Sequence, residues 1–95
     1  MSKQQYRSRL GIISDILSAT IECGRTGIII SSLARSTNLS YNTAVENCQK
    51  LIEAGLMKTT SDGKNVRFVA TERGIEVFHE MYKFLQTIQT LKIRY

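Results

Sequence analysis

Proline and tryptophan are absent from this chain of 95 residues, and histidine and cysteine are scarce. The single histidine is His79, and the two cysteines, Cys23 and Cys48, lie far apart in sequence. That supply excludes a four-ligand zinc site with its usual spacing, and no other metal site or cofactor is expected. Long apolar runs are lacking too. The longest, Ile28-Ile29-Ile30, is far too short to span a bilayer, so no membrane partner is expected. No extended apolar segment follows the N-terminal charges, which argues against a signal peptide. An intracellular, cytoplasmic chain with reduced thiols is the simplest expectation. There is no paired-carboxylate pocket motif, no glycine-rich phosphate loop and no nucleophile with a base and an orienting group, so catalysis is not expected. Nor does the pattern suggest a small-molecule ligand.

What is present is a mild basic excess. Thirteen Lys and Arg stand against eight Asp and Glu, for a formal charge of +5 and a pI near 9.5. That balance favours a polyanionic partner, with nucleic acid ahead of an anionic membrane surface. The length suits one small domain. Such domains bury modest cores and often gain stability by pairing with a second copy.

Hydrophobic periodicity divides the chain into four helices and a hairpin. From Ser8, the positions Leu10, Ile13, Ile16, Leu17 and Ile21 share one helical face, and glycine should end that helix near Cys23-Gly24. Residues 25–28 are expected as a brief strand. A second helix should cover about residues 30–36, with Leu33 and Ala34 inward. Thr37-Asn38-Leu39 makes the turn, since asparagine tolerates a left-handed backbone. Ser40 is the expected N-cap of a third helix whose apolar face is Ala44, Val45, Cys48, Leu51 and Ile52. Residues 56–60 and 65–70 read as strands joined through Asp62-Gly63, a strong hairpin signal. Leu56, Val66 and Phe68 should face the core, with Lys58 and Arg67 outward. Thr71 should cap a last helix running to about Ile93 without a breaker.

A helix-turn-helix running into a hairpin is a physical device for reading duplex DNA. The helix fits the major groove, and the hairpin reaches the neighbouring backbone. Tyr41, Asn42, Thr43, Glu46, Asn47 and Lys50 lie on the expected reading face, with Ser40 at its start. Tyr41 is alternatively a core residue at the helix start. Glu46 is awkward, because it repels phosphate and helps only by accepting from a cytosine amine. Charge for backbone contacts should come from Arg35, Lys58, Lys64 and Arg67, and from Arg7 and Arg9, while Ser31 and Ser32 sit where backbone N–H groups can hold a phosphate. Arg7, Arg73, Lys83 and His79 read more simply as solvated residues, and Cys48 as a small core hydrophobe.

The last helix carries two apolar seams. One is Ile75, Phe78, Tyr82 and Leu85; the other is Val77, Met81, Phe84, Ile88 and Leu91, at heptad spacing. One reading is an amphipathic helix lying on its own domain. The sharper expectation is that the first seam docks on the domain and the second meets a partner copy, giving a homodimer.

Asn38-Leu39-Ser40-Tyr41, Leu51-Ile52-Glu53-Ala54-Gly55-Leu56 and Thr71-Glu72-Arg73-Gly74, followed by a long final helix, resemble the archaeal 10a family across about residues 8–93. The resemblance implies small nucleoid-associated proteins that dimerise through an antiparallel coiled coil of C-terminal helices, with a winged helix at each end. It also implies binding of double-stranded DNA with little sequence preference, and a part in organising the chromosome. It places Tyr41, Asn42, Asn47 and Lys50 on the recognition helix and Lys64 and Arg67 on the wing. The expected fold is thus mainly α with a small β-hairpin: a winged helix-turn-helix at residues 1–70 and a dimerisation helix at 71–95. A sequence-specific transcriptional regulator and a protein-interaction module are the alternatives.

Overall fold

The computed structural model describes residues 8–91. The expected end of the last helix near Ile93 and the candidate Arg7 lie outside that range. Helix α1 (Arg9–Glu22) leads through a 3-10 turn (Gly24–Thr26) to α2 (Ile30–Thr37) and α3 (Tyr41–Glu53). Strands β1 (Met57–Ser61) and β2 (Val66–Ala70) then form an antiparallel hairpin, and α4 (Glu72–Thr90) closes the described chain.

Three helices begin at hydroxyl caps. The side chains of Ser8, Ser40 and Thr71 accept the backbone N–H three residues on, at 2.9, 3.1 and 3.0 Å, which satisfies donors the helix leaves unpaired. Between α2 and α3, Asn38 takes the left-handed conformation (φ 58°, ψ 44°), and Leu39 packs against the core. The core gathers Ile16, Leu17, Ile28, Leu33, Cys48, Leu51 and Met57, drawn from the first three helices and the base of the hairpin.

Residues 25–28 do not form the expected strand. Only Ile28 pairs, by a single bridge to Phe68: its N–H donates to Phe68 O at 3.0 Å and its carbonyl accepts from Phe68 N at 2.9 Å. Gly27 makes the approach possible. It sits at φ +79°, and a Cβ there would come within 2.8 Å of Phe68 O and 2.9 Å of the Val69 side chain.

The hairpin meets expectation at its base, where Leu56 and Phe68 pack against the core, and departs from it at the tip. Met57 and Val69 are buried, Leu56 is only half-buried, and Val66 is 58% exposed. The cause is position along the hairpin. Met57 pairs with Ala70 and Lys58 with Val69 at the base, where the domain provides a surface, while Ser61 pairs with Val66 near the tip, where it provides none. Lys58 is exposed as expected.

Helix α4 docks through one face and leaves two flanks bare. Phe78 and Met81 pack against the core, Leu85 is half-buried and Ile88 is buried; these four repeat at spacings of three, four and three. Phe84 and Leu91 are 54% and 63% exposed on one flank, and Ile75 and Tyr82 are exposed on the other. The docking face therefore draws Met81 and Ile88 from the seam expected to meet a partner, and leaves out Ile75 and Tyr82 from the seam expected to dock. The two expected seams are centred about 120° apart on the same helix, and the body of the domain covers the stripe between them.

Candidate nucleic-acid interface

Helix α3 is fixed at its start by the Ser40 cap, and the Ser40 hydroxyl also lies 2.9 Å from Thr43 Oγ1. These two hydroxyls hold one another, so their first role is to shape the helix N-terminus. Ala44, Asn47, Cys48 and Leu51 form the buried stripe of α3. Asn47, expected on the reading face, is only 9% exposed, and its Nδ2 donates to Thr43 O at 2.9 Å. It stands three residues after Ala44 and four before Leu51, which places it on the inward edge of the helix.

Directly opposite the buried stripe runs a row of exposed side chains: Asn42, Glu46, Gln49 and Glu53. Gln49, on the polar face of this helix in sequence, was not among the residues expected to meet bases, although it lies seven residues from Asn42, two turns along the same face. Lys50 is exposed on one side of this row, and Tyr41, 58% exposed, on the other. The exposure of Tyr41 rules out its alternative role as a core residue. Arg35 is exposed in the last turn of α2, Ser31 is exposed near its start, and Ser32 is half-buried. Arg9 is exposed at the start of α1.

The hairpin tip is organised by one carboxylate. Asp62 Oδ1 accepts the backbone N–H groups of Lys64 and Asn65 at 3.0 and 2.9 Å, and Oδ2 accepts Arg67 Nε at 3.0 Å. The two turn amides, and then the guanidinium, bring the Asp62 pKa down to about 2. Gly63 takes φ +93° at the tip. Lys64 and Lys58 extend into solvent, whereas Arg67 is half-buried and paired. The wing thus offers two unpaired lysines and one arginine whose charge Asp62 already partly offsets. The sequence alone gives Arg67 no such partner; its i, i+5 relation to Asp62 becomes a contact only because the turn folds back.

The base of the hairpin is tied to α4. Thr71 N donates to Leu56 O at 3.1 Å and Thr71 Oγ1 to Gly55 O at 2.7 Å. Gly74 is buried directly beneath Leu56, and a Cβ there would run into the Leu56 carbonyl oxygen. Cys48 sits in the core, where burial pushes its thiol up to about 11. Among the described residues, no group of three His, Cys, Asp or Glu is placed to hold a metal ion. No described helix is long and apolar enough to cross a membrane.

A family model for winged helix-turn-helix domains matches residues 6–89. The chain belongs to the winged helix-turn-helix family. Helices α2 and α3 are its helix-turn-helix, and β1–β2 is its wing. The fold is similar to that of Sso10a-2, a DNA-binding protein from Sulfolobus solfataricus (20% identity, TM-score 0.76), with 90% of this chain and 86% of that one covered. It is also similar to the transcriptional regulator BldR from the same organism (23% identity, TM-score 0.77; 85% and 58% covered). A third similar structure is BpsR of Bordetella bronchiseptica, whose DNA binding is regulated by 6-hydroxynicotinic acid (19% identity, TM-score 0.74; 83% and 57% covered). At these identities the likeness is one of fold. The winged-helix chain spans little more than half the length of BldR and BpsR. No curated protein sequence matches it.

Proposed function

We propose that this winged-helix protein binds double-stranded DNA as a homodimer, with α3 in the major groove and the wing against the adjacent backbone. The observation that carries this reading is the pairing of an exposed polar face on α3 with a solvent-surrounded hairpin bearing Lys58 and Lys64. Tyr41, Asn42 and Thr43 stand at the start of α3, where a recognition helix meets base edges. Arg35, Lys50, Lys58 and Lys64 supply backbone contacts, with Arg67 engaging phosphate in exchange for Asp62. Ser40 contributes by setting the helix start.

Dimerisation rests on α4. Phe84 and Leu91 lie seven residues apart, in line with half-buried Val77, on a flank that the domain leaves bare. Leaving them in water costs about 1.5–3 kcal/mol per large side chain. An antiparallel pairing of two α4 helices covers this flank, with residues 71–95 as the dimerisation segment and residues 1–70 as the DNA-binding unit.

For the biological role, the resemblance of sequence and fold to a 10a-type protein supports a nucleoid-associated, chromosome-organising part in the cytoplasm. A transcriptional regulator acting at defined sites is the second reading, and the acidic and amide-bearing row on α3 favours it. Titrating the full chain against a random-sequence duplex and against duplexes enriched by selection separates the two. Equal affinities support the architectural role, and a preference of a thousandfold or so supports the regulator. No binding to any duplex at low salt would favour a protein-interaction module instead.

A further inference from the structure

The row of α3 that points directly away from the core holds Asn42, Glu46, Gln49 and Glu53, all exposed and none cationic. A helix that tracks phosphates has little use for such a row, because affinity without sequence preference comes from Lys and Arg neutralising the backbone. A carboxylate brought between two phosphate strands is repelled by any sequence. Among the described residues Glu46 has no ion-pair partner, and Lys50, one turn further along, does not reach it. Its charge therefore enters the groove uncompensated by its own protein.

The major groove offers such a group few partners. Guanine presents two acceptors, N7 and O6, and thymine an acceptor and a methyl group, so both oppose a carboxylate. Adenine presents an amine, but beside the N7 acceptor, whereas cytosine presents its N4 amine alone. Asn42 and Gln49 have the complementary preference, since an amide can both donate to N7 and accept from N6 of adenine.

We infer that Glu46 is a specificity-determining residue: it accepts from a cytosine N4 amine at the correct site, where that bond offsets a phosphate repulsion that stays uncompensated on every other sequence. The inference rests on the DNA-binding reading in its second form, a regulator acting at defined sites, and extends it to a named base. Glu46 thereby acts in two directions: it contributes one hydrogen bond at the correct site and penalises every incorrect one.

The test is selection from a randomised duplex pool with the full chain, in wild-type form and as Glu46→Gln, followed by anisotropy titration of the random and selected duplexes. Wild type should enrich a C·G pair at one position of each half-site. Glu46→Gln should keep the remaining positions, relax C·G at that one towards A·T, which an amide can read with both its donor and its acceptor, and bind random duplex about tenfold more tightly. Equal thermal midpoints for the two proteins would show that the exposed substitution leaves the fold intact. A wild-type protein that binds duplex without enriching any C·G position, or a variant with unchanged preference and affinity, would overturn the assignment of Glu46 alone. Failure of the wild type to bind any duplex at low salt would overturn the DNA-binding reading itself.

Discussion

Gly74 and Asp62 decide local geometry that no neighbour can supply. At Gly74 the α4 backbone passes under the Leu56 carbonyl with no room for a methyl group. Gly74→Ala should therefore force the wing base away from α4 and cost about 1–3 kcal/mol, as overpacking of a buried site does, measured by chemical denaturation. An unchanged midpoint would mean that the helix and strand can separate freely. Asp62 holds both turn amides and Arg67, and its folded pKa of about 2 lies below the ordinary aspartate range. A depressed carboxylate contributes order that is fully present above its unfolded pKa and is lost as pH falls through the folded one. The wing tip should thus remain formed at pH 4 and above and loosen between about pH 4 and 2, as carbon-detected NMR of the Asp62 carboxylate would report. Titration of that carboxylate near its ordinary value would contradict its hold on the two turn amides and on Arg67.

At the scale of elements, the reading helix is held by its cap and the wing by its charges. Ser40→Ala removes the acceptor for Thr43 N and should lower stability by about 1 kcal/mol. On the wing, Lys64→Ala should reduce the salt dependence of DNA binding by about two phosphate equivalents per dimer, one from each protomer. Arg67→Ala should reduce it less, because Asp62 already offsets that guanidinium; equal effects would show that phosphate fully displaces the carboxylate. These elements differ in how far the sequence revealed them. The four helices and their Ser8, Ser40 and Thr71 starts were legible because helical periodicity and hydroxyl caps are local signals. The exposure of the hairpin tip was not. Val66 is apolar and alternates correctly with Phe68, yet the domain ends before it can cover Val66. The inward edge of α3 was misplaced for a similar reason: Asn47 is polar, but its spacing from Ala44 and Leu51 outweighs its type, and Thr43 O satisfies its amide. The site face itself was legible in part. Tyr41, Asn42, Glu46 and Lys50 are exposed as expected, whereas Gln49 follows only from completing the row, and the Asp62–Arg67 pair requires the folded turn.

For the whole molecule, the proposed DNA binding and the proposed dimerisation are linked, since two paired α4 helices would carry two reading heads. Phe84→Asp combined with Leu91→Asp places charge on a flank that the single chain leaves exposed, so the fold should persist while a dimer dissociates. Sedimentation equilibrium at micromolar protein would then report a monomer for the variant and a dimer for the wild type. A wild-type monomer would contradict the pairing. The central claim, that the exposed α3 face and basic wing engage duplex DNA, is tested most directly by fluorescence anisotropy of a labelled duplex titrated with the full chain from about 50 to 200 mM salt. Tight binding at the low end, weakening linearly in log–log form with a slope approaching about −7 if Arg35, Lys50, Lys58 and Lys64 of both protomers engage, is the predicted result. Absence of binding at the lowest salt, or affinity indifferent to salt, would contradict it.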